Sequence, residues 1–304
     1  LLPAAQWGKD EDYLWYSTGS AANYTDLANG DFGDATLQAR YIRGAFDDKP
    51  FTLGKYESTR IRSAIAELAA NGGAPMGFYT RFTDPAARRT IVQYYQFLKR
   101  YDQVFRANRP HAEVLLMFPR RAVHQGDVTA VDTFRSIGKK LLDQHVLFDV
   151  MPDDLCDEQT RTRYAAVLSA ETTELPPRVR SGLSRFAAPA AVRVSASRPA
   201  TGNSLALHFV NYDRDEPPQR NGRPDPGGGI VAEKPIAVES IGVQFVLPAQ
   251  IDVTGVDVVS PEQPDPQPIR FTVSKGLLEF ELPRMLVYAI ARIQFRDSFD
   301  SQNP

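Results

Sequence analysis

The chain opens with three alternations of short apolar runs and longer segments of helical spacing. Tyr13-Leu-Trp-Tyr16 is a short aromatic strand, and a polar loop from Gly19 to Gly33 separates it from the next element. Residues Ala35 to Phe46 place Leu37, Tyr41 and Ile42 at helical intervals. A strand over Lys49 to Lys55, a helix over Ser58 to Asn71 and a Gly72-Gly73 stop follow. Pro75 to Tyr79 predicts a third strand, and Pro85 to Val104 a long helix. Three successive βα units predict parallel strands with helices packed outside. Three strands cannot close an eight-stranded barrel, so the open sheet needs cover from further chain or from a partner.

From about Pro110 the alternation continues. Glu113 to Phe118 is nearly all apolar, the mark of a strand buried on both faces. Asp127 to Gln144 predicts an amphipathic helix, Leu147 to Val150 and Tyr164 to Leu168 strands, and Pro176 to Phe186 a helix. These make a flavodoxin-like, doubly wound α/β unit. From about Ala200 the period changes to two, with predicted strands over Leu205–Tyr212, Ile236–Leu247, Ile251–Ser260, Ile269–Ser274, Gly276–Leu282 and Met285–Gln294. Turn clusters such as Pro224-Asp-Pro-Gly-Gly-Gly229 separate them, which predicts an antiparallel β-sandwich. The expected division is 1–108, terminal βα units of a TIM-type barrel; 109–198, the flavodoxin-like domain; and 199–304, the sandwich.

Composition narrows the function classes. Lys and Arg number 35 against 37 Asp and Glu, a formal charge of −2, so no basic excess points to nucleic acid. No apolar run approaches the ~20 residues of a membrane-spanning helix. The single cysteine, Cys156, forms no internal disulfide and leaves the compartment open. It lacks the Gly-flanked elbow of a nucleophilic cysteine and is expected to be an inert thiol. His111, His124, His145 and His208 are scattered without metal-ligand spacing, and His208 is expected to face solvent or a loop. No phosphate loop is present, so no nucleotide cofactor and no metal are implied.

The order of parts, and the segments Lys49-Pro-Phe-Thr-Leu-Gly-Lys-Tyr-Glu57, Arg60 to Gly73, Met76-Gly-Phe-Tyr-Thr-Arg81, Ala112 to Phe118 and Leu207-His-Phe-Val-Asn-Tyr212, resemble the C-terminal half of glycoside hydrolase family 42 β-galactosidases. The resemblance implies a retaining β-glycosidase acting on an oligo- or polysaccharide and self-associating through the middle, trimerisation-type domain. It makes Tyr13–Tyr16, the strand before Glu57 and Met76–Arg81 barrel strands six, seven and eight. Glu57 is then the nucleophile, and the acid/base glutamate would fall before residue 1. Glu57 departs from the family pattern in being preceded by Lys55-Tyr56. Secretion would suit such an enzyme, though no signal sequence shows it.

Retaining hydrolysis needs two carboxyl groups roughly 5 to 5.5 Å apart, one attacking the anomeric carbon and one protonating the leaving oxygen. Glu57 suits the first role, with Lys55 or Arg81 holding it ionised; alternatively it is an acidic residue in the first turn of the next helix. Glu11, Asp12, Asp26 and Asp84 are the nearby candidates for a second carboxylate. Trp15, Tyr16, Tyr56 and Tyr79 could stack on a sugar ring, or fill a barrel core. Arg81 either binds sugar hydroxyls or pairs with Asp84. Asp31 or Asp34 is expected to cap the helix near Ala35. The rival to an enzyme is a carbohydrate-binding or assembly scaffold of the same ancestry.

Overall fold

The structure, a computed structural model, describes residues 10–17, 32–55, 61–77, 85–215, 219–220, 223–224, 234–248 and 251–296. It begins with β1 (Leu14–Ser17), α1 (Asp34–Ala45), β2 (Phe51–Lys55), α2 (Ile61–Ala70), β3 (Ala74–Gly77), α3 (Pro85–Arg100) and α4 (Asp102–Phe105). The three strands form a parallel sheet in the order β1-β2-β3. The helix expected to run from Pro85 to Val104 is broken at Tyr101. There the ring packs on Phe97 and the hydroxyl donates to the Pro264 carbonyl, anchoring the break.

A short edge strand, β4 (Arg109–Pro110), precedes β5 (Val114–Phe118), α5 (Arg120–His124), α6 (Thr129–Asp143), β6 (Phe148–Pro152), α7 (Glu158–Arg161), β7 (Ala166–Leu168) and α8 (Pro177–Ser181). A second parallel sheet runs β6-β5-β7. The helix predicted over Pro176–Phe186 stops at Gly182, and β8 (Arg185–Ala187) takes its second half. Glu113, distant in sequence, explains the change: its carboxylate accepts the Ser184 N–H at 3.0 Å and the Ser184 hydroxyl at 2.7 Å. A helical Ser184 would have turned that N–H to the preceding turn.

The remaining strands are β9 (Val192–Arg198), β10 (Ser204–Asn211), β11 (Arg214–Asp215), β12 (Gln219–Arg220), β13 (Arg223–Pro224), β14 (Lys234–Pro235), β15 (Ile241–Val246), β16 (Val253–Val259), β17 (Gln267–Pro268), β18 (Phe271–Ser274), β19 (Leu277–Leu282) and β20 (Tyr288–Phe295). Two antiparallel sheets result, β17-β16-β20-β10-β9-β4 and β18-β19-β15-β8. Their facing residues, among them Val194, Leu207, Phe209 and Ile293 from the first and Val243, Phe245 and Leu278 from the second, share one core. The expected boundary at 198 falls inside the β9–β10 hairpin, and β4, β8 and β9 belong to the sheets of the strands that follow them.

Every residue of α1 whose side chain is described is buried or half-buried. One side of α1 gives Ala39, Ile42 and Ala45 to a core with Leu14, Phe51 and Leu53, and the other gives Leu37 to a core with Val114, Leu116 and Phe134. Gly44 makes the second contact possible, since a Cβ there would lie 1.9 Å from the Val150 carbonyl oxygen of β6. The second helix is apolar on nearly all sides because it meets β2 and β3 on one flank and α3, Val210 and Ile290 on another. The architecture is mixed α/β with several sheets, and the described residues contain no closed barrel.

Candidate functional site

The three parallel strands end together. Ser17 lies beside Gly54, and Lys55 beside Gly77, so the chain leaves β1, β2 and β3 from adjacent positions at one end of the sheet. That is the end where parallel βα sheets collect chemistry, because the loops following the strands converge there. Of the site expected from sequence, Tyr56, Glu57, Tyr79 and Arg81 lie outside the described residues, as do Asp26, Asp31 and Asp84. Lys55 is placed by its backbone as the last residue of β2, and Tyr16 likewise within β1.

Trp15 pairs in register with Thr52, which pairs with Ala74, so the three positions share the face away from the helices. Thr52 is buried and its hydroxyl donates to the Ala74 carbonyl. Trp15 is 49% exposed. Leu14, one residue earlier, is buried against α1. Glu11 and Asp12 precede β1, and Lys49, just before β2, donates to the Glu11 carbonyl. Both residues are therefore at the end of the sheet opposite Lys55.

A buried polar chain behind this sheet escaped the sequence reading. Glu67, in the middle of α2, accepts the Thr36 N–H at 3.0 Å and the Thr36 hydroxyl at 3.1 Å. Asn71 donates to Thr36 Oγ1 at 3.3 Å and to the Glu67 carbonyl at 2.7 Å. Arg40 donates to Asn71 Oδ1 at 3.1 Å, to the Phe148 carbonyl at 2.9 Å and to the Val194 carbonyl at 3.2 Å, and lies over the Phe148 ring. Burial pulls its guanidinium down to about 10. Gly33 occupies the N-cap of α1 without a side-chain cap, and Glu67 accepts an N–H of its first turn; the expected caps, Asp31 and the Asp34 side chain, lie outside the described residues. The available signal was a single carboxylate within Ile61-Arg-Ser-Ala-Ile-Ala-Glu-Leu-Ala-Ala70, four residues before Asn71.

His208 corrects another expectation. It is fully buried, with Nε2 2.8 Å from Ser197 Oγ and Nδ1 2.8 Å from the Tyr288 hydroxyl. Its strand, β10, lies between β9 and β20 with one face on the shared core and the other under the helices, so neither face reaches water. Burial, followed by the Arg43 charge, lowers its pKa to about 3. Cys156 is half-buried, and burial raises its thiol above the ordinary value. Among the described residues no group of three or more His, Cys, Asp and Glu side chains converges as metal ligands, and no helix is long and apolar enough to cross a membrane.

No protein-family model matches the sequence, and no curated protein matches it. Among solved structures, α-L-fucosidase isoenzyme 2 from Paenibacillus thiaminolyticus is similar at 12% identity and a TM-score of 0.66, over 97% of this chain and 67% of the fucosidase. The rhamnosidase from Novosphingobium sp. PP1Y aligns over 97% of this chain and 35% of its own, at 10% identity and a TM-score of 0.49. At such identities the likeness concerns fold, and the fucosidase, above a TM-score of 0.5, carries it. The chain therefore has a mixed α/β, glycoside-hydrolase-like fold that spans about two thirds of the fucosidase's length.

Proposed function

We propose that this chain is the part of a carbohydrate-active enzyme, a retaining β-glycosidase of β-galactosidase-like type, that carries the nucleophile Glu57. The observation that supports it most is the alignment of the β1, β2 and β3 ends, with Glu57 two residues beyond Lys55 in sequence. In the proposed reaction the Glu57 carboxylate attacks the anomeric carbon as a carboxylic acid protonates the departing oxygen. Water then cleaves the glycosyl ester with the second residue acting as base. Trp15, Tyr56 and Tyr79 would face the sugar ring, and Lys55 and Arg81 would hold the nucleophile ionised. The middle parallel sheet would mediate self-association, and the two antiparallel sheets would form an accessory sandwich.

The test is hydrolysis of chromogenic β-galactosides, with α-L-fucosides included because the similar solved structure is named as an α-L-fucosidase. The source protein is compared with its Glu57→Gln variant. A loss of several orders of magnitude in kcat, with folding unchanged, is the expected result, since the lost group is the covalent catalyst. Full activity in the variant would remove Glu57 from the role. The second reading, a carbohydrate-binding or assembly scaffold, is favoured by the exposed Trp15 ring on a face whose near carboxylates point to the other end. It predicts saccharide binding without turnover in both proteins.

A further inference from the structure

The middle parallel sheet carries a carboxyl group in the interior of a strand. β6 is an outer strand of that sheet, and its Phe148 and Val150 enter the core shared with α6. Successive side chains of a strand point to opposite faces, so Asp149 and Met151 are turned the other way. Both line a cleft of about 1300 Å³ bounded by the end of α1, β6, the segment from Thr160 to Tyr164 and the β4–β9 pair. The cleft also touches Phe46 to Lys49, which lead into β2. Lys49 is six strand positions from Lys55, about 20 Å at the usual rise per residue, and the proposed hydrolysis makes no use of this region.

Asp149 is half-buried, and its Oδ2 accepts from the Tyr164 hydroxyl at 3.0 Å, the one donor to this carboxyl among the described residues. Burial raises its pKa above the ordinary carboxylate value even with the charges of Arg43 and Arg40 acting on it. A carboxylate offers about four acceptor positions, so most of its capacity remains for a ligand that enters the cleft. Beside it the walls are apolar: Met151 and Tyr164 are half-buried, and Leu155 is 37% exposed.

The surrounding charges decide what kind of ligand suits the carboxyl. Arg43 Nε binds Asp48 at 2.7 Å while its Nη2 donates to the Asn108 carbonyl at 2.7 Å, and Arg40 is spent on Asn71 and two carbonyls. His111, buried against Phe245, is neutral because burial and then the Arg198 charge lower it to about 4. An anion entering here would meet the carboxyl groups of Asp149 and Asp48, and a cation would meet the Arg40 and Arg43 charges that act on Asp149. A neutral ligand with several hydroxyls avoids both conflicts. Its hydroxyls can donate to Asp149 while its C–H face lies on Met151, Leu155 and the Tyr164 ring, the usual mixture of an apolar wall and a few polar groups in a binding cleft.

We propose that this cleft is a second saccharide site, in which the Asp149 carboxylate, held by Tyr164, accepts hydrogen bonds from a neutral sugar whose ring rests on Met151 and Leu155. The inference rests on the chemistry of the cleft and stands whether or not Glu57 is a nucleophile. The test uses the full chain as Glu57→Gln, so that hydrolysis does not consume a probe, and follows amide chemical shifts. Galactotriose, a galacturonic acid trimer and a glucosamine trimer serve as neutral, anionic and cationic probes. The expected result is saturable shifts with galactotriose centred on residues 147–151 and 160–164, and weaker binding of both charged trimers. Affinity for galactotriose should fall about tenfold or more in Asp149→Asn, which replaces a charged acceptor by a neutral one at the same size. Leu155→Ala, at an exposed position where truncation leaves the fold intact, should weaken binding severalfold and keeps the test decisive if Asp149→Asn fails to fold. No saturable binding of galactotriose, or shifts confined to the segments after β1, β2 and β3, would overturn the proposal. So would affinity unchanged in Leu155→Ala and in a folded Asp149→Asn, or binding of either charged trimer as tight as that of galactotriose.

Discussion

Replacing Glu67 by alanine should unfold a disproportionate share of this molecule's stability. The carboxylate is buried, and Thr36 gives it both an N–H at 3.0 Å and a hydroxyl at 3.1 Å. In Glu67→Ala the Thr36 hydroxyl loses its acceptor where water cannot substitute, and an unsatisfied buried donor costs about 1–3 kcal/mol, while the Thr36 N–H keeps only its bond to the Gly33 carbonyl. The cost expected is about 3 kcal/mol, the hydroxyl's lost acceptor and the weakened N–H bond together. Glu67→Gln keeps an acceptor for Thr36 and should cost about 1–2 kcal/mol. Urea unfolding of the whole chain, followed by far-ultraviolet circular dichroism, measures both. A double-mutant cycle with Thr36→Val should give a coupling of about 1 kcal/mol or more. An alanine variant within about 1 kcal/mol of the parent, or additive single substitutions, would refute the argument that Glu67 caps α1 from the neighbouring helix.

Gly44→Ala should destabilise by at least about 3 kcal/mol in the same assay, because the new Cβ meets a backbone carbonyl that no rotamer change can move. The buried His208 sets a pH dependence of known sign. Below about pH 6.5 the unfolded chain takes up a proton that the folded His208 refuses until about pH 3, so its contribution to stability is lost as pH falls through that window. Between pH 7 and 4.5 this amounts to about 2–3 kcal/mol, and the difference between the two pH values should shrink by that much in His208→Gln. The comparison with the variant matters because Glu113 and Glu262, whose pKa values burial raises, act in the opposite direction over the same range.

The elements that were legible in the sequence are those decided locally. The run Leu205 to Tyr212 announces β10, but the burial of both its faces, which makes His208 internal, depends on the helices and strands packed around it and was not read from the run. The Gly72-Gly73 stop is where the pattern puts it, with Gly72 at φ 80° and the Gly73 N–H returning to the Leu68 carbonyl. Elements decided at a distance were not legible. Ser184 leaves the helical pattern because of Glu113, and α1 lacks its own cap because Glu67 supplies one. The strand-end logic that singled out Glu57 rests on local periodicity, and β1, β2 and β3 have the expected parallel order.

A helix with no idle side has consequences for how this chain can change. With Ala39 and Ile42 committed to one core, Leu37 to another, and Arg40 to a third set of contacts in β6 and β9, α1 leaves almost no surface on which substitutions would be neutral. Tolerance to random mutation should therefore dip sharply over Asp34–Ala45 compared with the half-solvated α3. For the same reason, recombination with a distant homologue would succeed only if the helix travelled together with the partners on both of its sides. The units on either side of α1 are thus tied into one inherited block, whatever their separate ancestries.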